Sequence, residues 1–171
     1  MNHSQWYIGA PNGVILCIDQ VADGCLGGIL YHSYSTEGIA FGNAEQMTLE
    51  MEKLYDELQF PHPGTNERSF ISQKQEPTQP HVWKKPQERK KIMSDENLLS
   101  KHGDLGTFIV RVQHRQNSSW QGRITWMEQN KTICFRSVWE MIKLIESAVD
   151  TVSVQEEETE EEADWFSEEK K

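Results

Sequence analysis

Apolar and polar residues alternate along most of Trp120 to Glu128, and that period constrains the backbone more than any other feature of the chain. Trp120, Gly122, Ile124 and Trp126 fall on one side, and Gln121, Arg123, Thr125 and Met127 on the other. This is the pattern of a strand with one face buried. Thr107 to Arg115 reads as a strand before it, with Gln116 to Ser119 as the turn between them. Gln129-Asn130 is a polar turn, and Lys131 to Arg136 a third strand. Ser137 then opens a helix. Its hydroxyl is placed to accept from the backbone three residues on, while Glu140 reaches back, which is a capping box. Val138, Met141, Ile142, Ile145, Ala148 and Val149 share one helical face, and Glu140, Lys143, Glu146 and Ser147 the opposite one. The predicted order is strand, strand, strand, helix.

The same order is legible nearer the amino terminus. Val14 to Ile18, Gly28 to Tyr34 and Gly38 to Phe41 read as strands. Asn43 and Gln46 form a second capping-type pair, opening a helix with the apolar stripe Met47, Met51, Leu54, Tyr55 and Leu58. Phe60-Pro61-His62-Pro63-Gly64 stops it. The two stretches superpose without a gap at an offset of 94 residues: Val14, Leu16 and Ile18 fall on Phe108, Val110 and Val112, Gly28 on Gly122, Phe41 on Phe135, and Asn43 on Ser137. The expected fold class is α+β. Two modules, 6–72 and 104–150, each hold a three-stranded antiparallel sheet plus a helix (βββα), with internal duplication as the hypothesis. Such units would stand sheet edge to sheet edge or pair across a dimer.

The remaining chain is of a different kind. Of 27 acids and 17 bases, nine acids and two bases lie in 151–171, so residues 1–150 carry 18 and 15 and the tail is a polyanion. A run such as Gln155 to Ala163 has too little apolar surface to offset the entropy of ordering, and the tail is expected to be disordered. Asp164-Trp165-Phe166 sets two aromatics among those acids, the composition of a short docking segment. Residues 73–103 hold Pro77, Pro80 and Pro86 and the basic cluster Lys84, Lys85, Arg89, Lys90 and Lys91. They read as a disordered linker with one short helical turn between Ser94 and Lys101.

Alternation also assigns the sheet faces. With the last helix covering one side, Phe108, Val110, Val112, Ile124, Trp126, Ile133 and Phe135 point inward. Arg111, Gln113, Arg115, Gln121, Arg123, Thr125, Thr132 and Arg136 are expected outward, four arginines without a carboxylate. Guanidinium forks suit phosphate and carboxylate oxygens. The matching amino-terminal positions, Ile15, Cys17, Gly27, Ile29, Tyr31, Ala40 and Gly42, are small or apolar. That face is expected to meet the other module, a second subunit or a partner protein.

The stretch Trp120-Gln121-Gly122 … Phe135-Arg136-Ser137 with its following helix resembles small uncharacterised proteins of Gram-positive bacteria that end in the same way. The likeness covers Thr107 to Val149 and implies no activity. In topology the module is also similar to the three-strand-plus-helix DNA-binding domain of plant ethylene-response factors and of certain phage integrases. That likeness implies a sheet inserted into the major groove, with Arg111, Arg115, Arg123 and Arg136 as the reading residues.

No catalytic or metal-binding residue is predicted. Gly9-Ala10-Pro11-Asn12-Gly13 lacks the Lys-Ser/Thr that closes a phosphate loop, and neither His-Glu-x-x-His nor Cys-x-x-Cys occurs. Three cysteines make no disulfide framework. No cofactor is called for, and no apolar run approaches the roughly 20 residues of a membrane helix. The amino terminus carries no secretory signal pattern, so a cytoplasmic protein is expected. The expected function is non-enzymatic: binding DNA or RNA on the carboxy-terminal sheet, with the acidic tail as an autoinhibitory mimic of phosphate. The alternative is a protein–protein adaptor, working through the amino-terminal sheet, as homodimer or with a partner, and through Trp165-Phe166.

Overall fold

In the computed structural model, which describes residues 8–64, 68, 70 and 89–152, the two sets of strands join into one sheet. Strands β1 (Val14–Ala22), β2 (Cys25–His32) and β3 (Ile39–Phe41) lead into helix α1 (Ala44–Leu58). A short helix α2 (Asp95–Leu99) precedes β4 (Gly106–His114), β5 (Gln121–Trp126) and β6 (Lys131–Phe135), and helix α3 spans 138–152. All strand pairs are antiparallel, in the order β3-β2-β1-β4-β5-β6. The expectation of two separate three-stranded sheets is corrected by the pairing of β1 with β4, from Val14 opposite Val110 to Ile18 opposite Gly106. The reason lies in the strands themselves. Val14-Ile15-Leu16-Cys17-Ile18 and Phe108-Ile109-Val110 are apolar on both faces, so neither suits an edge with unpaired backbone groups.

The registers of the two halves coincide at the 94-residue offset. Leu16 faces Leu30 as Val110 faces Ile124, and Gly28 faces Phe41 as Gly122 faces Phe135. A β-bulge between Ile18 and Gln20 matches one between Val112 and His114. In the β1–β4 pairing Ile15 stands opposite Ile109, its own counterpart 94 residues on. Asp23 and Gly24, with φ of 52° and 73°, make a two-residue turn that carries β1 and β2 beyond their predicted ends. An Asp-Gly pair supplies that turn because both central residues need positive φ.

Both helices are capped as their sequences predict. Asn43 Oδ1 accepts from the Gln46 N–H at 2.8 Å, and Gln46 Oε1 accepts from the Gly42 N–H at 2.8 Å. In the other half Ser137 Oγ accepts from the Glu140 N–H at 3.1 Å, and Glu140 Oε2 from the Arg136 N–H at 2.7 Å. α1 and α3 lie on the same side of the sheet. Leu16, Leu30, Met47, Met51 and Tyr55 belong to one buried cluster with Val110, Ile124, Phe135, Met141 and Ile145. Tyr55 and Trp120 meet edge to face at 5.3 Å, tying α1 to the carboxy-terminal half.

The opposite side carries a second, smaller cluster. Ile15, Cys17 and Ile109 are buried there with Ile8, Met93 and Leu98. The amino-terminal sheet face that was expected to meet another module or molecule is thus covered in part by the chain's own residues. Leu98 comes from the single helical turn read in the linker, and the backbone N–H groups of Ile92 and Met93 donate to Ser33 O at 2.7 and 2.9 Å. Met93, Leu98 and the partly buried Leu99 explain why this end of the linker packs down, while Ile92 stays exposed. Burial there pushes the Cys17 thiol up to about 12, which makes it an inert core group.

On the helix side of the sheet, His32 gives the fold a pH dependence. It is buried, and its Nδ1 accepts the Tyr34 N–H at 3.1 Å. Burial, and then the Arg89 guanidinium, hold its pKa below 6.5. A depressed folded pKa means the unfolded chain binds the proton first, so this stabilisation is present above about pH 6.5 and is lost as pH falls toward the folded value. The melting temperature should therefore drop more steeply on acidification in the wild type than in His32→Asn, whose amide oxygen can keep the acceptor. Parallel curves would show that His32 does not titrate in this range.

Candidate anion-binding face

The outer face of β4, β5 and β6 is set by register. Arg111 faces Arg123, and Arg123 faces Cys134 on β6. Arg123 is exposed and Arg111 half-buried, and Thr132 and Cys134 are exposed beside them. Thr125 also lies on this face, but it is buried and its Oγ1 is 2.8 Å from that of Thr132. The outward positions of the three strands contain no acid. The matching residues of the amino-terminal half are Cys17 for Arg111 and Ile29 for Arg123, so only one half carries charge here.

The other predicted residues are placed differently. Arg115 is 6% exposed and lies on the helix side, with Nη1 2.6 Å from Asp56 Oδ1 and Nε donating to Pro61 O at 2.7 Å. Its assignment to the outer face is corrected, and the bulge is the cause. Val112 pairs with Gly122 but His114 pairs with Gln121, so Gln113 is the extra residue and every side chain after it changes sides. Gln113 itself is exposed. Arg136 is exposed, yet its guanidinium is 3.2 Å from Glu140 Oε1. The Arg136 side chain holds the Glu140 carboxyl below the usual carboxylate range, so this arginine is already answered by a carboxylate of the body. Gln121 is spent on its own turn: Oε1 accepts from the Gln116 N–H at 3.1 Å and Nε2 donates to the Gln116 and Arg136 carbonyls.

Of the linker cluster, Lys84 and Lys85 lie outside the described residues, as do Trp165 and Phe166. Arg89 Nη1 is 2.6 Å from Glu57 Oε2, Lys91 Nζ is 3.7 Å from Asp95, and Lys90 is exposed. Arg89 therefore serves the fold, clasping the end of α1. A feature the sequence reading missed is a cleft of about 710 Å³ on the helix side, lined by Glu52, Asp56, Arg68, Arg115, Trp120 and Val138 among others. The one signal that could have found it is the glycine at 122, which marks the bulge that turns Arg115 toward α1.

Among the described residues no group of three or more His, Cys, Asp or Glu side chains is placed to hold a metal ion. None of the described helices is long and apolar enough to cross a membrane. No protein-family model, no curated protein and no solved structure matches the chain.

Proposed function

We propose that this is a binding protein rather than a catalyst, and that the outer face of β4–β6 takes an anionic macromolecule, nucleic acid first. Arg123 is the main contact, with Arg111 and Gln113 beside it. The observation that carries the reading is the exposed Arg123, set between Arg111 and Cys134 on strands whose outward positions carry no acid. An exposed guanidinium on a strand face suits the oxygens of a phosphate backbone laid across it. A sheet face laid on nucleic acid is also the mode implied by the likeness of the βββα unit to ethylene-response-factor domains.

The shared registers support reading the two halves as copies of one unit. In that reading the amino-terminal copy covers its outer face with α2, while the carboxy-terminal copy keeps the corresponding face for a ligand. The adaptor alternative retains the Trp165-Phe166 segment but has less of a free amino-terminal sheet to work with. The test is fluorescence anisotropy of labelled single- and double-stranded oligonucleotides at two salt concentrations. Arg123→Glu should weaken binding by about ten-fold or more at low salt and reduce the slope of log affinity against log salt by about 1. Equal binding by wild type and Arg123→Glu rejects the face.

A further inference from the structure

A groove lies at the β6 edge of the sheet. The groove holds about 250 Å³ between the last strands and α3, and is lined by Trp126, Lys131, Ile133, Leu144, Ala148 and Thr151 among others. Ile133 is 37% exposed there. At the 94-residue offset the corresponding positions are His32, Glu37, Ile39, Glu50, Leu54 and Glu57. One residue near these positions is basic. Arg89 is ion-paired with Glu57 and its guanidinium lies 5.6 Å from the centre of the Tyr34 ring. Arg89 thus meets a rim whose positions 37, 50 and 57 are all glutamate, through Glu57.

In the carboxy-terminal half the same three positions are Lys131, Leu144 and Thr151. The charge preference is reversed and the walls are more apolar. Lys131 is exposed and makes no ion pair with the described residues. We propose that this groove is the seat of the chain's own Asp164-Trp165-Phe166 segment, with the rings on Ile133, Leu144 and Ala148 and the acids beside Lys131. Thr151 lines the groove and Trp165 follows only 14 residues later. At roughly 3.3–3.6 Å per residue, that length reaches about 45–50 Å, ample for a return to the groove. A tether of this kind gives an effective concentration in the millimolar range, enough to seat a motif of modest intrinsic affinity.

Disulfide trapping in the full-length chain tests this. Ser147 lines the groove and Ser167 directly follows Phe166. Ser147→Cys and Ser167→Cys are introduced with the exposed Cys25 and Cys134 changed to Ser. Mild oxidation should yield the intramolecular 147–167 disulfide, identified by peptide mass. Adding Trp165→Ala and Phe166→Ala should slow its formation by about ten-fold, since only the tether then brings the thiols together. Neither alanine substitution changes a residue of the buried clusters, so the comparison does not depend on the folding of a core variant. An unchanged rate in the alanine variant, no crosslink at all, or crosslinks between two copies would each overturn the proposal.

Discussion

Asp56→Ala is expected to destabilise the protein by about 3 kcal/mol, more than Arg115→Met, although Asp56 is the more exposed partner. The Arg115 side chain is 5% exposed and that of Asp56 56%. Removing the carboxylate leaves a buried guanidinium that keeps the Pro61 carbonyl and the Tyr55 ring, 5.9 Å away, but loses its ion-pair partner. Removing the guanidinium instead leaves a carboxylate that water already reaches, and methionine refills much of the space. Solvent access from the Asp56 side keeps the cost near the lower end of the about 3–5 kcal/mol typical of broken buried pairs. Urea unfolding of both variants decides it, read as a shift in midpoint at constant slope. Should Arg115→Met prove the more damaging, Arg115 acts by packing and its charge is incidental.

Gly122→Ala and Gly28→Ala are each expected to cost about 3 kcal/mol or more, among the larger single-residue effects a domain shows. A Cβ on Gly122 would run into the Arg111 carbonyl oxygen, and one on Gly28 into that of Cys17. Both glycines pair with the last residue before a bulge, Val112 and Ile18, where the neighbouring backbone comes closest. The clash is with main chain held on both sides by ladder hydrogen bonds, so it cannot relax by a rotamer change. Gly42→Ala is the control. Its nearest neighbour would be the flexible Gln46 amide at 3.5 Å, and its melting temperature should barely move. Thermal unfolding of the three variants tests the argument, and a mild effect at both 28 and 122 would mean that the bulges are easily rearranged.

The two modules differ in how their candidate surfaces could be read. Arg111 and Arg123 are assigned correctly to one face because they precede the bulge or lie on the unbulged partner strand, where strict alternation holds. Arg115 is misassigned because one inserted residue, Gln113, reverses parity, and nothing in the spacing of apolar residues announces it. Gln121, Thr125 and Arg136 have the right chemistry for a ligand but find partners within the fold: a turn, a cross-strand threonine and the N-terminal turn of α3. A side chain's availability depends on what competes for it nearby, and composition cannot rank those competitors.

Periodicity and caps are local properties, settled within a few residues of chain. That is why strands near 14, 28, 39, 107, 121 and 131, two capped helices and the 94-residue correspondence can all be read from residue order alone. Whether the halves remain two sheets or become one is settled by the free energy of leaving Ile15 and Ile109 strands as open edges, a term that exists only once both halves are folded. The same holds for the covering of Ile15 and Cys17 by α2, and for Arg115 finding Asp56 across 59 positions of sequence. Those outcomes belong to the tertiary structure because burial and charge pairing are decided by proximity in space.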